Sequence, residues 1–147
     1  YALQVRRDAI GLPVDVHVNA PGELVEQLLG QASIYWHASG LGEDAERHPE
    51  RFEHFGISVV EAMAAGAVPL VFGAAGPAEI VRPSIDGEHW STLDELAAAT
   101  VRLAHDDGAR AALSAAAVAR AADFSVDVFA ARLRDLIAAD AAAVQRA

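Results

Sequence analysis

The sequence contains no cysteine and no lysine. Without Cys there is no disulfide framework, no thiolate metal site and no cysteine nucleophile, and the chain suits a reducing compartment. Without Lys there is neither a Walker A phosphate grip nor Schiff-base chemistry. All 11 basic residues are Arg, against 21 acidic ones, giving a net charge of −10 and a pI near 4.8. No nucleic-acid partner is expected, because sequence-independent binding needs clustered cations to displace counterions from phosphate. A nucleotide ligand stays open, since backbone N–H groups can hold one locally. Long apolar runs are also missing: the longest are short and alanine-rich, well under the roughly 18 to 20 residues that span a bilayer. There is no initiating Met and no basic segment leading into an apolar one, so the expectation is a piece of a longer chain.

What is present is enough for one core: 147 residues, 53% apolar, expected to form a single partial domain over residues 1–147. Tyr1 to Ile10 has helical character and ends at the breaker Gly11-Leu12-Pro13. Val14, Val16 and Val18 then alternate with polar residues up to Asn19, the pattern of a strand. Leu24, Val25, Leu28 and Leu29 recur at helical spacing, and Ser33 to His37 is an apolar, aromatic run of strand length. Ser39 to Glu53 has no periodicity and is long for a connection, as functional loops often are. Gly56 to Ala65 is expected to be a helix closed by a left-handed Gly66, Ala67 to Phe72 a buried strand, and Pro77 to Val81 a short helix. A brief strand at Glu88 to Trp90 precedes a capping box, Thr92 to Glu95, for a helix reaching His105. Asp107 and Ser125 are the expected caps of two further helices. Strands alternating with helices predict an α/β fold, a partial doubly wound parallel sheet with a helical C-terminus.

The stretch from Glu53 to Gly66 carries the most chemistry. Glu53 ends the loop and Glu61 lies on the second turn of the helix, so both can face the crevice at the carboxyl ends of the strands. Between them lies a helix N-terminus, whose first N–H groups lack intrahelical partners and, with the macrodipole, favour an anion such as a diphosphate. Carboxylates suit hydroxyl donors instead, which a hexose and a ribose offer.

The E-x7-E arrangement of Glu53 and Glu61, its continuation Glu61-Ala62-Met63-Ala64-Ala65-Gly66, and Ala75-Gly76-Pro77-Ala78-Glu79-Ile80-Val81 after a strand resemble the donor site of family-four retaining glycosyltransferases of GT-B fold. Ile34-Tyr35-Trp36-His37 and Arg51-Phe52-Glu53-His54-Phe55-Gly56 look closest to a branch that includes the α-1,2-mannosyltransferase of dolichol-linked oligosaccharide assembly. The resemblance implies a Rossmann-like C-terminal domain, its donor-binding half, that serves hexose transfer from a nucleotide diphosphate sugar without a metal cofactor. Glu61 would bind the ribose, and Glu53 would bind the transferred sugar near its reacting face and be the catalytic residue. Phe55, Gly56 and Ile57 would line sugar and diphosphate, and His37 and Gly76 would complete the donor site. Neither glutamate need be a covalent nucleophile. The family's phosphate-binding Arg and Lys belong to a strand-helix unit that nothing here resembles, its acceptor-binding N-terminal domain is missing, and Ala75-Gly76 stands where Gly-Gly is common. The expected partners are therefore a nucleotide sugar, an acceptor of unspecified class and that N-terminal domain, with self-association through open sheet edges. The expected location is cytoplasmic, peripheral at a membrane in the longer protein. A nucleotide-sugar epimerase of the same fold and a non-catalytic nucleotide-binding module are the alternative functions.

Simpler readings cover the other notable residues. The charges from Glu43 to Arg51 read as a solvated loop face, and Arg82 as a solvated charge after a short helix. His37, His48 and His54 lack metal-ligand spacing. Trp36 and Trp90 read as core or crevice wall, Asp106-Asp107 as a helix cap, and the stripe Phe129, Leu133, Leu136 and Ile137 as packing.

Overall fold

Residues 68–72, Val-Pro-Leu-Val-Phe, are apolar at every position, as suits a strand covered on both faces. In the computed structural model, which describes residues 1–144, they form the central strand β2 (Val68–Phe72). It lies between β1 (Ile34–His37) and β3 (Glu88–Trp90), parallel to both, with Ile34 opposite Val68 and Leu70 opposite Glu88. Parallel neighbours need crossover connections, and helices supply them here. The helices are α1 (Ala2–Asp8), α2 (Gly22–Gln31), α3 (Ile57–Ala64), α4 (Ala75–Ile80), α5 (Leu93–His105), α6 (Asp107–Ala121) and α7 (Val126–Val144).

Side chains alternate across a strand, so β2 has two faces with two sets of partners. Val68 and Leu70 pack with Trp90, with Leu96 and Leu103 of α5 and with Leu113 of α6. Val71 packs with Val59 and Met63 of α3, with Ile80 and Val81 at the end of α4 and with Ala117 and Ala121 of α6. Helices therefore cover both faces, the doubly wound arrangement expected from the alternation of elements. The α5 capping box is formed: the Thr92 hydroxyl accepts from the Glu95 N–H at 3.2 Å, and the Glu95 carboxylate accepts from the Thr92 N–H at 3.3 Å. Gly66 closes α3 with φ of 90°.

Several expectations are corrected. Val14 to Asn19 is irregular chain and not a strand. Alternation alone does not make a ladder, and with no strand beside it the segment leaves Val14 and Val18 exposed. Helix α4 begins two residues before Pro77, at Ala75. The cap of α6 is Asp106, whose carboxylate accepts from the Ala109 N–H at 2.8 Å, and Asp107 is the first helical residue. Phe129, Leu133, Leu136 and Ile137 do not pack but stay 43% to 66% exposed. Trp90 is core, whereas Trp36 is exposed and donates its indole N–H to the Thr100 hydroxyl at 3.0 Å. Among the described residues no helix is long and apolar enough to cross a membrane.

Candidate functional site

At the carboxyl end of the sheet, the chain enters α3 through Gly56, which takes φ of 99° and ψ of 53°. That left-handed conformation is cheap only for glycine. The Gly56 carbonyl accepts from the N–H groups of Val59 and Val60, leaving those of Gly56, Ile57 and Ser58 without a hydrogen bond among the described residues. No acidic residue lies in the first turn of α3. Three free donors and the positive end of the helix dipole therefore meet where an anion would be favoured.

Glu53 is held just before this point. Its carboxylate accepts from the Phe55 N–H at 3.2 Å, and its carbonyl accepts from the Gly76 N–H at 3.0 Å. Gly76 is buried, and a Cβ there would stand 2.5 Å from the carbonyl oxygens of both His54 and Phe55. Glycine thus lets α4 clamp the loop that carries Glu53, and the N–H of Gly76 is spent on that clamp. The preceding Ala75 takes φ of 50°, a left-handed position that costs a residue with a Cβ of the order of 1 kcal/mol. The exposed Phe55 ring packs edge-on to Phe124 at 6.1 Å, and Arg120 lies over Phe124 at 4.7 Å.

His37 ends β1 and is 8% exposed, with no hydrogen-bond partner for its Nδ1. Burial holds its pKa below the ordinary 6.5, and the nearby Glu53 carboxylate opposes that shift. The loop between them is organised by its own charges. Arg51 pairs with Glu43 at 2.8 Å, Asp44 accepts from the N–H groups of Glu46 and Arg47, and His48 meets Glu50 at 3.3 Å. Phe52 anchors it by burying its ring 6.5 Å from that of Phe72. The loop face is solvated, as expected, and these pairs hold its fold.

Glu61 serves a different wall. It is exposed and lines a cleft of about 490 Å³ together with Ala64 of α3 and the Ala65 that caps it, facing Gly22, Val25, Glu26 and Leu29 of α2. The α2 side was not singled out by the sequence, because only the docking of α2 against α3 brings it near Glu61. A smaller apolar hollow of about 320 Å³ lies between the loop and the β2–α4 turn, lined by Ala45, Pro49, Phe52, His54, Ala74 and Ala75. Arg82 is not a free charge: its Nε sits 2.6 Å from the fully buried Asp86 carboxylate, which also accepts from the Arg82 N–H. Among the described residues no three His, Cys, Asp or Glu gather where a metal could bind.

Parallel strands covered on both faces define a Rossmann-like α/β domain. A family model described as glycosyl transferases group 1 matches residues 3–120, and the chain belongs to that family. It is 39% identical over 85 residues to the GDP-Man:Man(3)GlcNAc(2)-PP-Dol alpha-1,2-mannosyltransferase of Dictyostelium discoideum, which covers 57% of this chain and 15% of that protein. The Xenopus laevis protein of the same name is 40% identical over 68 residues, covering 46% of this chain and 12% of its own length. The crystal structure of Anabaena HepE in complex with UDP-glucose superposes with a TM-score of 0.72 at 20% identity, covering 95% of this chain and 37% of that one. That likeness shows the GT-B fold. The chain spans only a minor part of each of these proteins.

Proposed function

We propose that this chain is the donor-binding half of a retaining glycosyltransferase that moves a hexose from a nucleotide diphosphate sugar to an acceptor. The observation that carries the reading is the N-terminus of α3, with three uncommitted N–H groups, the Glu53 carboxylate held just before it by the Phe55 N–H, and Glu61 on the second turn in the α2–α3 cleft. The diphosphate takes those N–H groups and the helix dipole. Glu61, in its cleft, accepts from the ribose hydroxyls. Glu53, with His37 beside it, accepts from the hydroxyls of the sugar undergoing transfer.

On this reading the protein acts by orientation and by stabilising charge on the departing diphosphate, with neither glutamate as a covalent nucleophile. No metal is needed, and transfer should persist in a chelator. Supporting the reading are the family membership and the names of the relatives, which are hexose transferases using a GDP-sugar, while the superposed structure holds UDP-glucose. No residues of this chain match the family's phosphate-binding Arg and Lys, so transfer is a property to be measured on the intact protein. The free edge of β1 is a template for one more strand, whether from the rest of the protein or from a second copy.

Two substitutions in the intact protein test the roles. Glu61→Ala should weaken nucleotide binding about 10- to 100-fold, the usual loss for charge-assisted hydrogen bonds; unchanged affinity would remove Glu61 from the site. Glu53→Gln keeps shape and removes charge, so it should lower kcat and leave nucleotide affinity nearly unchanged. A raised donor KM with kcat intact would contradict its role.

A further inference from the structure

We propose that Arg120 of α6 is a positioning residue for transfer, holding Glu53 and Phe55 in place from outside the site, an inference that rests on the role given to Glu53 above. Helix α4 has six residues, too few to persist alone, and its last carbonyls lack intrahelical partners. Two side chains supply partners. Arg120 donates from Nε to the Ile80 carbonyl at 3.0 Å and from Nη2 to the Glu79 carbonyl at 3.2 Å, and His89 donates from Nε2 to the Val81 carbonyl at 2.8 Å. The other end of α4 holds the Glu53 carbonyl through the Gly76 N–H at 3.0 Å. A shift of α4 is therefore passed on to the backbone of Glu53.

A second route leaves the same guanidinium. It lies over the Phe124 ring, with Cζ 4.7 Å from the centroid, and Phe124 meets the Phe55 ring edge-on at 6.1 Å. The Phe55 N–H in turn donates to the Glu53 carboxylate at 3.2 Å. One route thus reaches the backbone of Glu53 and the other its side chain, and Arg120 is where they join. Its Nη1 pairs with Asp123 at 2.9 Å, so each of the three nitrogens is committed within the protein. A planar fork fixed at three points and stacked on a ring is a geometry that Lys cannot reproduce.

The experiment measures kcat, KM and nucleoside diphosphate affinity in the intact protein, with GDP-mannose and UDP-glucose as probe donors, for Arg120→Met and Arg120→Lys, each alone and combined with Glu53→Gln. Arg120→Met should lower kcat about 10- to 100-fold, since a displacement of about 1 Å at a reacting group costs up to that much. Nucleoside diphosphate affinity should change by less than about threefold, because both routes end on Glu53. Arg120→Lys keeps the charge and the stem, and with them the fold, yet its kcat should still fall about 10-fold, because one ammonium cannot bridge both carbonyls and stack on Phe124. In the Glu53→Gln background either substitution should cost less than about threefold more, as both act through one group. A merely structural role would lower the urea midpoint and leave the kcat of the folded protein intact, or add in full to Glu53→Gln. Either result would overturn the proposal, as would weakened nucleoside diphosphate affinity at unchanged kcat, or full activity in Arg120→Lys. If Glu53→Gln alone left kcat unchanged, the donor-site reading itself would fail.

Discussion

The first 31 residues and the segment from Val59 to Ala121 are both rich in apolar side chains, yet they are held in opposite ways. Helices α1 and α2 bury no residue, and Leu3, Ile10, Leu12 and Val14 are each more than half exposed. From Val59 onward Ala62, Met63, Val68, Leu70 and Leu103 are sealed completely. The difference is in neighbours: β2 has a strand on each side and helices on each face, whereas α2 has the side of α3 and little else. Apolar patterning without a covering partner yields local helix and no core. The cleft beneath Glu61 has one wall of each kind, firm on α3 and loosely held on α2. A nucleotide bridging them should therefore stabilise α2 more than α3, by linkage.

The comparison predicts the largest effect at Trp90. Trp90→Ala should cost about 3 to 5 kcal/mol in urea unfolding, while Leu12→Ala should stay within about 0.5 kcal/mol. Similar costs for the two would mean that the N-terminal segment is packed in solution, and the contrast would be broken. Gly76→Ala is expected next, at about 1 to 3 kcal/mol, because the added methyl meets two backbone oxygens that have no rotamer to change. It should also lower transfer by the intact protein, since the displaced loop carries Glu53. A stable Gly76→Ala protein with full activity would show that the clamp is dispensable.

How legible the molecule is in its sequence follows the same division. The buried strand Val68 to Phe72, the capping box at Thr92 and the left-handed Gly66 could be read because burial and local hydrogen bonding agree there. The strand expected at Val14 to Asn19 fails because alternation states which face would be buried but not whether another strand lies alongside. The stripe from Phe129 to Ile137 fails for the same reason. Glu53, Phe55, Gly56 and Ile57 are consecutive or nearly so, and a motif can show such residues. Glu26 and Glu61 are 35 positions apart, and only the docking of α2 on α3 unites them. Arg82 and Asp86 show the converse, since the i,i+4 spacing was visible but the full burial of the carboxylate was not.

Thr92 sharpens the comparison on a smaller scale. Helix α5 has a full capping box and a buried face, while α1 has no side-chain cap and no buried residue. Thr92→Ala should cost about 1 kcal/mol, because the hydroxyl that accepts from the Glu95 N–H is lost while the backbone N–H that donates to the Glu95 carboxylate remains. Urea titration would detect it, and a loss comparable to that of Trp90→Ala would mean that the cap, and not the buried face, holds α5 in place.

The smallest expected effect belongs to His37, where the sheet meets the candidate site, and it is visible only as a change with pH. Burial lowers the pKa of the folded imidazole below 6.5, and Glu53 offsets part of that shift. Above that value the ring is neutral in both states and contributes nothing to the pH dependence. As pH falls through 6.5 the unfolded ring takes a proton while the folded one resists, so stability is lost on acidification until the folded pKa is reached and the loss levels off. Urea midpoints measured from about pH 7.5 to about pH 5 should therefore fall more steeply for the native protein than for His37→Gln, which cannot titrate. Subtracting the variant removes the contributions of the other five histidines, His17, His48, His54, His89 and His105. If the native protein instead gained stability relative to the variant on acidification, His37 would be taking its proton in the folded state as the charged partner of Glu53. Its Nδ1 would then serve only as a hydrogen-bond donor and no longer as an acceptor.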